Sequence, residues 1–82
     1  MLWRIRPFNP TTTISYSLLE NAVVSLRVFD LLGREVAILA NQNQKAGRYN
    51  VQFDVSRLPS GVYLYRMQAG SFTDVKRMLL LK

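Results

Sequence analysis

Short segments in which apolar and polar residues alternate with a period of two recur along this chain, and they constrain its fold more than any other feature. Between residues 12 and 18, Ile14, Tyr16 and Leu18 alternate with threonine and serine. This period places one set of side chains on one face of a β-strand. The same alternation recurs at residues 22–30 and 48–54. An all-β fold is therefore expected.

Turn residues separate the predicted strands. Asp30-Leu31-Leu32-Gly33 is typical of a type I turn, because Asp at the first position accepts hydrogen bonds from backbone N–H groups and Gly at the fourth tolerates positive φ. The two leucines inside this turn are expected to fold back over the edge of the core. Including the strands above, the predicted strands are 12–18, 22–30, 34–40, 48–54, 62–68 and 72–81, with 41–47 as a polar loop.

Six strands joined by short turns predict an immunoglobulin-like β-sandwich of six to seven antiparallel strands. A seventh short strand is expected near residues 1–10 or 55–58. The fourth predicted strand is apolar from Val36 to Ala40, which leaves two alternatives open. The strand is either central and buried on both faces, or it contains a β-bulge.

The residue types that most enzymes use are scarce in this sequence. There is no cysteine and no histidine, which removes thiol nucleophiles, the usual zinc ligands and the commonest general base. No spacing pairs the five carboxylates, Glu20, Asp30, Glu35, Asp54 and Asp74. We expect no catalytic activity, no metal site and no cofactor.

The net charge of +6 would suit an anionic partner, but the basic residues are scattered along the chain. A solvated surface is the favoured interpretation, and nucleic-acid binding is a remote third functional class. No apolar run is long enough to cross a bilayer, and the N-terminus lacks the apolar core of a signal peptide. If the protein is exported, the export signal is expected outside this chain.

Leu58-Pro59-Ser60-Gly61-Val62-Tyr63 is the most informative local pattern. In β-sandwiches, a tyrosine entering a strand in this way forms a tyrosine corner, in which its hydroxyl binds upstream backbone at a crossover between sheets. The alternative is an aromatic binding platform formed by Tyr63 and Tyr65. The structural role is favoured, and Tyr63→Phe should then cost about 1 kcal/mol of stability.

The last segment, Phe72 to Lys82, is interpreted in two ways. It is an edge strand in which Lys76, Arg77 and Lys82 discourage aggregation, or it is read by a receptor through its basic residues and terminal carboxylate. Composition leaves both open.

Several motifs, taken in order, resemble those of the C-terminal sorting domains of the type IX secretion system. They are Pro7-Phe8-Asn9-Pro10-Thr11-Thr12-Thr13-Ile14-Ser15-Tyr16-Ser17-Leu18, then Val24-Ser25-Leu26-Arg27-Val28-Phe29-Asp30-Leu31-Leu32-Gly33-Arg34-Glu35-Val36, Ala46-Gly47, Ser60-Gly61-Val62-Tyr63 and Lys76-Arg77-Met78-Leu79-Leu80-Leu81-Lys82. The resemblance covers about residues 7–82 and implies an immunoglobulin-like sorting domain over 7–82, preceded by a linker remnant at 1–6. Arg4-Ile5-Arg6 stands where the family has Tyr-Pro-Asn, and Leu18-Leu19-Glu20 where it has Leu-Pro-Glu.

The resemblance also implies a role and partners. A domain of this family directs an attached cargo through the periplasm to the cell surface or the medium. Its partners would be the outer-membrane translocon and a cysteine-type sortase that cuts ahead of the domain. The matching binding positions are Gly61, Tyr63, Lys76, Arg77 and Lys82, and the opening motif is Pro7, Phe8, Asn9 and Pro10.

Other interpretations stay open beside this one. A structural or adhesive immunoglobulin-like module, similar to flagellar hook-capping domains or binding carbohydrate, is the alternative function. A homodimer formed by strand exchange between two copies is a further prediction.

Overall fold

The computed structural model describes residues 1–7 and 10–82. Seven β-strands form within them: β1 (Trp3–Arg6), β2 (Thr11–Leu18), β3 (Ala22–Asp30), β4 (Glu35–Gln44), β5 (Gly47–Asp54), β6 (Gly61–Ala69) and β7 (Phe72–Leu80). All paired strands are antiparallel, and they form a three-stranded sheet of order β1-β2-β5 and a four-stranded sheet of order β4-β3-β6-β7. The predicted all-β sandwich is confirmed. In the described part of the chain, no helix is long and apolar enough to cross a membrane.

The core consists of the side chains that alternation placed on the inner faces. Val24, Leu26 and Val28 of β3 are completely buried, as are Ile14 of β2 and Met67 of β6. Their neighbours in the same strands face outward, so the period-two pattern of the sequence is also the pattern of burial. Burying these aliphatic side chains against the opposite sheet stabilises the two layers.

The turn between β3 and β4 forms where the sequence predicted it. The Gly33 N–H donates to the Asp30 carbonyl oxygen at 3.0 Å, and Asp30 Oδ1 accepts from the backbone N–H groups of Leu32 and Arg34 at 2.9 and 3.0 Å. The expectation for the two leucines was wrong, since Leu31 and Leu32 are 63% and 78% exposed. The hydrogen bonds of Asp30 close this turn without apolar contacts to the core.

Strand β4 departs from the prediction in its length and position. It continues to Gln44, so residues 41–44 are strand and the predicted loop is too long. Pairing with β3 outweighs the weak strand preference of Asn and Gln. The register shifts twice, between Leu26 and Arg27 and between Val28 and Phe29, which confirms the bulge. Because β4 is an edge strand, the alternative of a central strand was wrong.

The seventh strand is β1, within residues 1–6, for which a linker was predicted. It pairs with β2 from Trp3 opposite Tyr16 to Arg6 opposite Thr13. Trp3 is only 8% exposed and belongs to the hydrophobic core. Trp3 and Ile5 alternate with two arginines, which is the pattern of a half-buried strand. Residues 3–6 are therefore part of the smaller sheet.

Candidate recognition surface

Strand β7 is one of the two edges of the larger sheet, at the end opposite β4. It pairs with β6 without interruption, from Phe72 opposite Ala69 to Leu80 opposite Gly61. No described residue pairs with its other side. An edge strand leaves a row of backbone N–H and C=O groups free to bind another chain. The final segment therefore forms an edge strand, which is one of the two interpretations that the sequence left open.

The adjacent basic residues Lys76 and Arg77 lie on opposite faces of this strand. Lys76 is opposite Tyr65, whose side chain is in the core, whereas Arg77 is opposite Leu64 on the outer face. Lys76 is half-buried and Arg77 is exposed. Successive side chains of a strand point to opposite faces. The structure therefore separates this basic pair instead of forming one positive patch.

Trp3 of β1 joins the smaller sheet to β7. Its indole Nε1–H donates to Asp74 Oδ2 at 2.9 Å, and Lys76 Nζ lies 5.0 Å from the centroid of its ring. Asp74 Oδ1 also accepts from the backbone N–H of Val75 at 2.9 Å. An ammonium over an aromatic face and a hydrogen bond to a carboxylate both stabilise this contact. The role of Trp3 was missed in the sequence, although its alternation with arginine was a usable signal.

A tyrosine corner is present at the crossover between the sheets. Tyr63 is 6% exposed, and its hydroxyl donates to the Pro59 carbonyl oxygen at 2.7 Å. The structural role predicted for Tyr63 is confirmed. Gly61, which begins the strand, has a φ of +157°, a conformation that side chains rarely adopt. Both residues shape the corner from within and offer little surface to a partner.

The loop that precedes this corner, residues 55–60, also holds the chain's last residue. The backbone N–H of Lys82 donates to Ser60 Oγ at 3.0 Å, and the Lys82 ammonium donates to the Ser56 carbonyl oxygen. The Lys82 side chain is exposed. Lys82 is therefore tied to the tyrosine corner although it follows the end of β7.

Part of the opening motif reaches the same loop. The Pro10 carbonyl oxygen accepts from the Val55 N–H at 2.8 Å, and Val55 is almost completely buried. Pro7 is exposed and outside the strands, whereas Phe8 and Asn9 lie outside the described residues. The structure thus brings Pro10, Tyr63 and Lys82 together around one loop.

A carboxylate lies beside this cluster. The Ser56 backbone N–H donates to Asp54 Oδ1 at 2.9 Å. That hydrogen bond and one from the Ser56 side chain, with smaller contributions from Arg57 and Lys82, lower the pKa of Asp54 below 3.8. Asp54 is thus ionised at neutral pH and balances part of the positive charge near the C-terminus.

The chemical groups at this edge suit binding. They are an open strand edge, the exposed Arg77 guanidinium and the Lys82 ammonium, which can pair with carboxylates and backbone carbonyls. In residues 1–7 and 10–82, no three His, Cys, Asp or Glu side chains are grouped so that they can hold a metal ion.

Comparison with known proteins agrees with the order of the motifs. The family described as "Secretion system C-terminal sorting domain" matches residues 6–81. The match includes β2 to β7 completely and the last residue of β1. No curated protein and no solved structure matches the chain.

Proposed function

The chain belongs to the family of type IX secretion-system C-terminal sorting domains. We propose that the outer-membrane translocon of that system binds the folded domain and recognises it as a sorting signal. The family match over residues 6–81 is the observation that carries this proposal. A cargo protein attached to the domain is directed through the periplasm to the cell surface or the medium.

The β7 edge and the tyrosine corner are the surface that we propose for this recognition. Arg77 and Lys82 are exposed and offer charged donors on the last strand and just after it. Lys76 acts as a positioning residue, because its ammonium is directed at the Trp3 ring. Gly61 and Tyr63 also act indirectly, by fixing the loop to which Lys82 is bound. Of the opening motif, Pro10 contributes by accepting the hydrogen bond of the Val55 N–H, which fixes the same loop.

Two further partners belong to the same proposal. A cysteine-type sortase cuts ahead of the domain and separates it from the cargo. A homodimer formed by strand exchange would use β1, because this strand is short and, among the described strands, pairs with β2 alone.

Export of a reporter tests the sorting role. A periplasmic reporter fused ahead of residues 1–82 is expressed in a host with a functional type IX system, and in the same host with its translocon deleted. We expect the reporter in the medium or on the cell surface only when the translocon is present. Retention in the periplasm of both hosts would contradict the sorting role and favour a structural or adhesive module.

Charge variants test the recognition surface separately from the sorting role. The double substitution Arg77→Gln and Lys82→Gln should reduce export strongly, since both residues offer donors at the proposed edge. Arg48→Gln is the matched control, because Arg48 is also exposed but lies on β5 of the other sheet. Equal export by the double variant and the control would contradict this location, while leaving the role of the whole domain intact.

A further inference from the structure

The outer face of the larger sheet carries more exposed apolar surface than a solvated sheet face requires. Ile38, Val75 and Leu79 are 52%, 51% and 54% exposed. An antiparallel sheet with one face on the core normally turns polar side chains to the solvent. The smaller sheet does so: Ser15 on its outer face donates to Asn50 Oδ1 at 2.7 Å. The two outer faces therefore differ in chemistry.

Arginines stand among these apolar residues, two of them directly opposite each other. The register places Ile38, Arg27, Arg66 and Val75 in one row across the four strands. Like charges directly opposite each other destabilise a sheet. Arg27 is compensated by Glu35, at 2.8 Å. Within the part of the chain that the structure describes, Arg66 has no such ion pair.

The Arg66 side chain has a donor group without a hydrogen-bond acceptor. Its guanidinium carbon lies 4.9 Å from the centroid of the Phe29 ring. Its Nε is buried and has no hydrogen-bond partner. A buried donor without an acceptor costs free energy. A carboxylate arriving from outside the domain would supply the negative charge that the Arg66 guanidinium lacks.

Arg77 is the third arginine on the outer face of the larger sheet, beside Arg27 and Arg66. It lies opposite Leu64, which in turn lies opposite Phe29. All three basic residues on this face of the described strands, Arg27, Arg66 and Arg77, are arginines. Protein interfaces are enriched in arginine and depleted in lysine, because the planar guanidinium binds carboxylates through two parallel hydrogen bonds.

We propose that this surface, the arginine face (Arg27, Arg66 and Arg77 with Ile38, Val75 and Leu79), docks an acidic protein surface. Carboxylates of the partner would pair with the guanidinium groups, and its apolar atoms would cover the exposed aliphatic residues. Nucleic acids and polysaccharides offer little apolar surface for the second contact. A second copy of the chain carries the same three arginines and the same charge of +6, so it would be repelled. This inference does not depend on the sorting role.

Titration of the isotope-labelled 82-residue chain with a synthetic peptide of alternating glutamate and valine tests this proposal by NMR. We expect the amide shifts of β3, β4, β6 and β7 to change and those of β1, β2 and β5 to stay unchanged. Arg66→Gln should weaken binding about fivefold or more, since a charge-assisted hydrogen bond is lost. Arg48→Gln, on the outer face of the smaller sheet, is the matched control and should change binding less than twofold, on the order expected for a remote surface charge.

A second variant keeps the test decisive if Arg66→Gln does not fold. Val75→Glu places a carboxylate opposite Arg66 at an exposed position, and it should block the peptide to a similar extent. Equal losses for Arg66→Gln and Arg48→Gln would overturn the proposal, because they would indicate unspecific attraction. So would shifts confined to the smaller sheet. A third outcome would also contradict a protein partner. In it, the chain does not bind the peptide but binds vesicles containing phosphatidylglycerol, and Arg66→Gln abolishes the vesicle binding.

Discussion

The β3–β4 hairpin is held together differently from the surface where Trp3 of β1 meets β7 of the other sheet. This surface, with Asp74, Lys76, Arg77 and the adjoining Lys82, is called the β1–β7 edge. In the hairpin, the side-chain contacts join near neighbours: Arg34 binds Asp30 four residues away, and Arg27 binds Glu35 eight residues away. At the edge, Trp3 binds Asp74 across 71 residues, and Lys82 binds Ser60 across 22. The hairpin is thus specified locally, whereas the edge exists only when both ends of the chain have folded.

The difference has a functional consequence. A surface made of residues that are distant in sequence forms only when the whole domain has folded, so a partner that binds it distinguishes the folded domain from the unfolded chain. A local hairpin carries less of this information, since its side-chain contacts join residues that are close in sequence and close only a short loop. The β1–β7 edge is therefore the better place for a signal that has to distinguish folded from unfolded domains.

The largest expected effect is that of Trp3→Ala. Removing a buried tryptophan typically costs about 3–5 kcal/mol, and here the bond to Asp74 and the contact with Lys76 are lost as well. The hairpin counterpart is Leu32→Ala, for which we expect less than about 0.5 kcal/mol because Leu32 is exposed. Urea unfolding followed by circular dichroism measures both, since Trp3 is the only tryptophan and its fluorescence is lost in the variant. Similar losses for the two variants would contradict the comparison.

A smaller effect is expected for Tyr63→Phe, and this chain offers a matched control for it. The hydroxyls of Tyr63 and Tyr49 each donate to the carbonyl oxygen of the residue four positions earlier, Pro59 and Lys45. The first bond is partly buried and the second is exposed. Tyr63→Phe should cost about 1 kcal/mol, and Tyr49→Phe only about a few tenths, because water replaces an exposed partner. A larger loss of stability for Tyr49→Phe than for Tyr63→Phe would contradict the greater contribution expected from the hydrogen bond in the tyrosine corner.

The smallest expected effect is the loss of stability at low pH that comes from Asp30. Burial tends to raise the pKa of Asp30, but hydrogen bonds from Arg34 and Leu32 and the charge of Arg34 outweigh it, so the pKa lies below 3.8. The unfolded state then binds more protons than the folded state around this pH. The stabilisation is complete above 3.8 and is lost as the pH falls through the folded-state pKa. Asp30→Asn should flatten the loss of thermal stability below about pH 4. An unchanged pH profile in this variant would contradict the role of Asp30.

The sequence was sufficient to predict what depends on neighbouring residues. The alternation at residues 12–18 and 22–30 gave the strands and their buried faces, and the Asp30 turn and the Tyr63 corner followed from short motifs. In the turn and in the corner the partner groups lie within four residues of one another, so a local pattern contains the whole interaction.

The contacts that join the two sheets could not be predicted in the same way. Nothing near Trp3 in the sequence indicates that Asp74 will accept its hydrogen bond, because this requires the relative position of β1 and β7. The extension of β4 over residues 41–44 has the same cause: amide side chains favour loops locally, and only the pairing with β3 makes them a strand. The separation of Lys76 from Arg77 follows from the strand period, but the Trp3 ring beneath Lys76 does not.

Export of two fusions that differ only in β1 tests the central claim most directly. One carries the reporter ahead of residues 1–82 and the other ahead of residues 7–82, which lacks Trp3 and the rest of β1. If the folded β1–β7 edge is the sorting signal, the first reporter reaches the medium or the cell surface and the second remains in the periplasm. Equal export of both fusions would contradict the account and would place the signal in residues 7–82 alone.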